Sequence, residues 1–224
     1  MSLRAPKQEK TNFAAQPNLE PGSYPARVAR VYGAGRHPVV FQGEVKAPKL
    51  KIWVVYELVD AFMVDEHGDE IEGKPRWITE SFNLSPLTQE NAKSTMRYKG
   101  IDPTLKFDGD WSQLVGMPVS VTVVNNAKGG KVYDNVGGVT AVRPRDVAKI
   151  PDLVNEGFFF DSGEPNLEYF NKIPKFIQDD IKASIDYPGS KLEKLLGGAA
   201  PQKEIPKEDN EPEANAEADD DMPW

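Results

Sequence analysis

Cysteine is missing from all 224 residues, and histidine occurs only twice, at His37 and His67. Without thiols the chain cannot carry a disulfide framework, a zinc knuckle, a thiolate-ligated metal or a cysteine nucleophile. Two histidines leave little for imidazole metal sites or Ser-His-Asp chemistry. No apolar run approaches the roughly 18 residues of a membrane-spanning helix. The N-terminus (MSLRAPKQEKTNFAAQ) is polar and lacks the apolar stretch of a secretory signal. These absences predict a soluble, cytoplasmic protein with no membrane partner and no cofactor, and they are poor ground for an enzyme. The length suits one domain with appendages.

Charge is divided along the chain, and the formal net of -8 hides the division. From residue 208 to the end there are eight acids and no base, and without them 27 acids face 27 bases. Residues 1–56 carry nine bases and three acids, and residues 111–150 carry five bases and two acids. Two basic regions and one acidic tail say more than an overall acidic balance.

Residues 1–20 have scattered charges and no sustained period, which predicts a flexible arm. A β pattern then begins. The run 24–32 (YPARVARVY) alternates loosely and ends in Gly33-Ala34-Gly35, a turn signal. The run 50–59 (LKIWVVYELV) puts Ile52, Val54, Tyr56 and Leu58 on one face and Lys51, Trp53, Val55 and Glu57 on the other. The run 76–84 (RWITESFNL) repeats the scheme, with Trp77, Thr79, Ser81 and Asn83 facing away from Ile78, Phe82 and Leu84. Residues 65–70 between them read as a solvated hairpin connection. A helix is expected over 88–99 with Thr88 as its cap, then a helical turn over 110–116 closed by Gly116. Two further strands, 118–125 and 132–142, flank the Gly-rich basic loop Asn126-Ala127-Lys128-Gly129-Gly130-Lys131. Gly137-Gly138 predicts a bulge or bend in the last strand. Beyond Pro144 the chain reads as helical, with Pro174 placed to start KFIQDDIKAS, and 199–224 cannot build a core.

The order β-β-β-α-β-β is what a five-stranded OB barrel requires. The predicted fold is therefore a mainly β, OB-type barrel over residues 21–145, with a helix between strands 3 and 4. A helical extension over 146–198 and a disordered acidic tail over 199–224 follow. Any small β-barrel or sandwich of similar strand count is the alternative. OB barrels bind oligonucleotides on the strand 2–3 face and with the loops joining strands 1–2 and 4–5. Here those loops would be residues 33–49 and 125–131.

Candidate phosphate contacts in these segments are Arg27, Arg30, Arg36, Lys46, Lys49, Lys51, Lys128 and Lys131. Any one of them is equally readable as a solvated surface charge, but their concentration in two segments favours a groove. Trp53 and Trp77 sit out of phase with their strands' core faces, where a base stacked on an indole is worth about 1–3 kcal/mol. The competing expectation is that each packs beneath the helix or the C-terminal extension. Tyr32, Phe41 and Tyr133 border the basic segments as further aromatic candidates. The acids Asp65, Glu66, Asp69 and Glu70 with His67 read as a solvent-facing turn, since no apolar neighbours would bring them together as a metal site. Gly33-Ala34-Gly35 lacks the Lys-Ser/Thr that would follow in a phosphate-binding loop, and no catalytic constellation is present.

The C-terminal tip is the most specific signal. Asp219, Asp220 and Asp221 precede Met222, Pro223 and Trp224, so three carboxylates lead into two apolar anchors held extended by proline. Such a segment suits a shallow apolar pocket with a basic rim. The tip resembles that of bacterial single-stranded DNA-binding proteins, which end in an acidic run, an aliphatic residue, Pro and Phe. The whole chain resembles phage-encoded single-stranded DNA-binding proteins, to whose third and fifth strands ITESFNLSPLT (78–88) and GGKVYDNVGGVTAVRP (129–144) are similar. That resemblance implies sequence-independent binding of single-stranded DNA in phage replication, recombination and repair, in the host cytoplasm. It also implies a tip that recruits replication and recombination proteins. A monomer, a dimer and cooperative assembly on DNA all fit the sequence. The main rival is an OB-type protein-interaction module that does not itself grip DNA; a DNA-mimicking inhibitor fits poorly with a basic N-terminal quarter.

Overall fold

A computed structural model of the protein describes residues 16–197. The architecture is mainly β. A six-stranded open sheet contains β1 (Gly22–Phe41), β2 (Glu44–Val64), β3 (Glu70–Asn83), β4 (Pro118–Lys128), β5 (Lys131–Ala141) and β6 (Phe158–Asp161). Its helices are α1 (Lys93–Ile101), α2 (Leu167–Lys172), α3 (Lys175–Lys182) and α4 (Lys191–Leu195). The strand order is β3-β2-β1-β4-β5, antiparallel throughout, with β6 added parallel to β1. Both the five expected strands and the helix between β3 and β4 form.

Alternation in the strands decides which side chains meet. Ile52, Val54, Tyr56 and Leu58 of β2 turn inward together with Ile78 and Phe82 of β3. Val119, Val121 and Val123 of β4 and Val136 and Val139 of β5 complete this first core. Trp111 enters from a 3-10 turn over Trp111–Leu114 capped by Asp110, and its ring lies 5.4 Å from Phe82 and 5.3 Å from Tyr98. The helix begins later than the sequence predicts. Pro86 starts a chain of turns, with Gln89 N–H donating to Pro86 O and Ala92 N–H to Gln89 O, so the first helical residue is Lys93 rather than one beside Thr88.

Gly100 lets α1 lie directly on β5. A Cβ there would stand 2.2 Å from the Val139 carbonyl oxygen. Gly100→Ala is therefore expected to push the helix off the strand and cost about 1–3 kcal/mol of stability, as overpacking does in a filled core. Urea unfolding measures it. Gly137 is the bulged residue of β5, because Thr122 pairs with Gly138 while Val123 pairs with Val136.

Two expectations change. Gly33-Ala34-Gly35 is not a turn: β1 runs through it with a register jump between Gly33 and Arg36, and Gly35 takes φ +80° at the bend. The closed OB-type barrel is not confirmed either, since the sheet is open and β3 and β5 are not paired as strands. Side chains span the space between them. Arg76 of β3 reaches Asp134 of β5 at 3.3 Å, and Arg97 of α1 bonds both Glu80 of β3 and the Val136 carbonyl of β5.

Residues 16–20, expected as part of a flexible arm, help to fill the same space. The Gln16 amide exchanges two hydrogen bonds with the Val64 backbone, 2.8 and 2.9 Å long. Asn18 donates to Val132 O and Asp134, and Leu19 N–H donates to Asp134. Residues 1–15 lie outside the described residues.

The C-terminal extension, expected to be helical, also supplies a strand. Phe158-Phe159-Phe160 follows Gly157 and precedes Asp161-Ser162-Gly163, and it pairs with residues 30–32 of β1, with Asp161 opposite Gly33. With α2, α3 and α4 it builds a second core on the outer face of the sheet. Ala29, Tyr32, Ala34 and Val55 meet Phe158, Phe160, Phe170, Ile173, Ile177 and Ile181 there.

Candidate nucleic-acid interface

The segment expected as the strand 1–2 loop is a two-stranded ribbon. β1 and β2 stay paired to Phe41 opposite Glu44, joined by Gln42-Gly43 with positive φ at both residues, the mark of a tight type I′ hairpin. Lys46 lies exposed on this ribbon and pairs with Glu44, and Lys49 lies partly exposed opposite His37. The Phe41 side chain lies outside what is described. At the ribbon's base Arg36 donates from Nε and Nη2 to Asp186 at 2.9 and 2.6 Å, and its backbone N–H also reaches that carboxylate. These bonds to Arg36 hold the Asp186 carboxyl below its usual range. Arg36 thus ties the ribbon to the extension, with part of its guanidinium still facing water.

The outer face of strands 2 and 3, expected as the base-stacking platform, is covered by the extension. Tyr32 is fully buried, with its ring 5.7 Å from Phe158. Arg30 is buried between Trp77 and Phe158, 4.5 and 4.6 Å from their ring centres, and donates to the carbonyls of Glu156 and Lys172. Arg27 donates to three backbone carbonyls, those of Gly116, Ile150 and Pro151, and pairs with Asp152. Both arginines thus direct these donors to backbone carbonyls of the protein itself.

Trp77 donates its indole N–H to the buried Glu57, which also accepts from Val154 N–H and the Asn155 side chain. Trp53 donates to Asp180 at 2.6 Å, and Lys51 lies 3.3 Å from the same aspartate. Both indoles are partly buried and pack against the second core, the arrangement that the competing expectation, packing beneath the extension, describes. The cause is that Trp53 and Val55 of β2 lie beside Ala29, Tyr32 and Ala34 of β1, too apolar a patch to leave wet.

The β4–β5 ribbon keeps its expected residues in the open. Gly129 and Gly130 take φ +59° and +75°, so the two-residue turn is tight and the strands stay in register to its tip. Directly opposite residues share a face, which places Lys128 beside Lys131 and Asn126 beside Tyr133. Asn135 is two residues further along the same face. These side chains with Gly129 line an open depression of about 640 Å³. Tyr133 is 49% exposed within it. The arrangement offers one aromatic face, two ammonium groups and two side-chain amides to a ligand that is flat, anionic and rich in hydrogen-bonding edges. Asn126, expected only as part of the basic loop, and Asn135, not expected at the site, join it, and their spacing of two from Lys128 and Tyr133 was the signal for a shared face.

The third ribbon is of opposite sign. Glu66, Asp69, Glu70 and Glu72 are exposed where β2 and β3 join, and Asp65 accepts from the N–H groups of His67 and Asp69. Those backbone donors hold the Asp65 carboxyl below its usual range. Asp65 serves the turn, and among the described residues no three His, Asp or Glu side chains converge on a metal position. The tip residues Asp219, Asp220, Asp221, Met222, Pro223 and Trp224 lie outside the described residues. Among the described residues no helix is long and apolar enough to cross a membrane. The chain matches no protein-family model and no curated protein.

Proposed function

We propose that the protein binds single-stranded DNA without sequence preference, as part of phage replication, recombination and repair. The observation that carries this reading is the outward face of the β4–β5 ribbon, where half-exposed Tyr133 stands among Lys128, Lys131, Asn126 and Asn135. Stacking on an aromatic ring tolerates any base, and ammonium groups follow phosphates regardless of sequence. The open-sheet order β3-β2-β1-β4-β5, with a helix between β3 and β4, supports the reading because an oligonucleotide-binding barrel uses the same succession of elements. Binding runs over the basic ribbons at the ends of the sheet, Lys46 and Lys49 on one and Lys128 and Lys131 on the other. The strand 2–3 face, already filled by the extension, is not its floor. The acidic ribbon is kept off the DNA path by its charge.

The tail has two tasks in this reading. Its eight acids compete with DNA for the basic ribbons, and its tip, once displaced, engages the apolar, basic-rimmed pocket of a replication or recombination protein.

A titration with a thymine oligomer and a matched duplex at two salt concentrations tests the reading. Strong binding of the single strand, weak binding of the duplex and steep loss with salt are expected. Deleting residues 208–224 raises the affinity at low salt, and unchanged affinity would overturn the competition. Salt-independent binding, or none, favours the protein-interaction module instead.

A further inference from the structure

The extension that covers the strand 2–3 face leaves an aromatic ring on its own surface. Phe176 is 58% exposed, more than Tyr133 at 49%. Its helix α3 is held to the sheet by Ile177 and Ile181, both fully buried, so the helix does not need Phe176 for its packing. The ring touches the protein on one side, where it meets Trp53 edge-on with centroids 5.5 Å apart and an interplanar angle of 77°. Trp53 in turn is fixed by its bond to Asp180. An exposed ring braced by a second, immobilised ring is oriented at little entropic cost.

Its surroundings are polar and suited to a nucleotide. Lys49, Lys51 and Trp53 alternate along one face of β2, and Ser81 and Asn83 stand opposite Trp53 and Lys51 on β3. All are on the side of the sheet that α3 covers. The two nearby carboxylates are each matched by a lysine, Asp180 by Lys51 at 3.3 Å and Asp179 by Lys175 at 2.7 Å. A phosphate approaching the ring therefore meets no uncompensated negative charge from α3.

We infer that Phe176 is a stacking site for an unpaired nucleobase of single-stranded DNA, with Trp53 as its support and Lys49 on the neighbouring face of β2 beside the adjoining phosphate. The site rests on the single-stranded DNA reading and extends it to the covered face: the platform expected on the strands is carried by the cover.

The full-length protein and its Phe176→Ala, Phe176→Leu and Phe176→Tyr variants are titrated with a fluorescent thymine oligomer at low salt, alongside their thermal unfolding. Leucine keeps apolar bulk and loses the π face, whereas tyrosine keeps both. The alanine and leucine variants are expected to bind roughly 5- to 150-fold more weakly, the range of one lost base stack, and the tyrosine variant to stay near the parent. The unfolding midpoints should stay close together, because the ring is largely exposed. Parent-like affinity of the alanine and leucine variants overturns the site and leaves the single-stranded DNA reading intact. If the parent itself binds no oligomer, that reading fails, and the site with it.

Discussion

Replacing Arg97 by alanine is expected to cost about 3–5 kcal/mol of folding stability, the range for removing one partner of a buried ion pair. Arg97 donates from Nε to both carboxylate oxygens of Glu80, at 2.9 and 3.1 Å, and from Nη2 to the Val136 carbonyl at 2.9 Å. The Tyr56 hydroxyl also donates to Glu80 at 2.9 Å from a fully buried ring. Burial foremost, then the charge of Glu80, pushes that hydroxyl's pKa well up, so Tyr56 stays a donor at any ordinary pH. Without Arg97 the Glu80 carboxylate keeps Tyr56 and, at 3.4 Å, Lys93, whose ammonium is partly solvated. That residual pairing places the expected loss at the lower end of the range. The triple replacement Glu80→Leu, Arg97→Met and Tyr56→Phe should cost less than Arg97→Ala alone, because neither a charge nor the Tyr56 hydroxyl is then left stranded. Chemical unfolding of the three proteins checks both statements, and a loss below about 1 kcal/mol for Arg97→Ala would contradict the first. The stake is larger than one pair. Arg97 is a clamp across the open edge, joining β3 to β5 where no strand ladder does so.

How much of this could be read in advance follows from how far apart the partners lie. The strands were legible because their alternation is local, and Ile52, Val54, Tyr56 and Leu58 turn inward as their period requires. The β4–β5 hairpin was legible for the same reason, since Lys128, Gly129, Gly130 and Lys131 form their own turn. The bonds of Arg27 and Arg30 were not legible because their carbonyl partners lie 89 to 142 residues away along the chain. A surface arginine and one that straps a distant segment look alike in sequence. Trp53 and Trp77 were placed on the correct face, but periodicity gives the face and not its cover. Val55 between them carried a hint: with Trp53 on the same face of β2, and Ala29 and Tyr32 on the neighbouring strand, it makes an apolar patch. The glycines at 33 and 35 were read as a turn because a β-bulge and a hairpin ask for the same conformational freedom. Phe158-Phe159-Phe160 was absorbed into a helical expectation, although aromatic residues bounded by glycines are a strand signature.

The last expectation concerns the ribbon on which the functional reading depends. Lys128 and Lys131 stand directly opposite each other beside the turn, with Tyr133 two residues behind. If each ammonium neutralises one phosphate, exchanging both for glutamate removes two counterion-releasing contacts. The slope of log affinity against log salt should then become shallower by about 1.4, at about 0.7 per contact on single strands. Two new carboxylates also repel the backbone, so the loss at low salt should reach about 100-fold and shrink as salt screens it. Folding should be little changed, because both positions are exposed, the turn glycines remain, and one like-charged cross-strand pair replaces another. Tyr133→Ala should behave differently, weakening binding by about 1–3 kcal/mol at every salt concentration, since stacking releases no counterions. The contrast separates the two roles. A charge-reversed ribbon with an unchanged salt slope would show that phosphates do not run along this face, whatever the affinity of the protein as a whole.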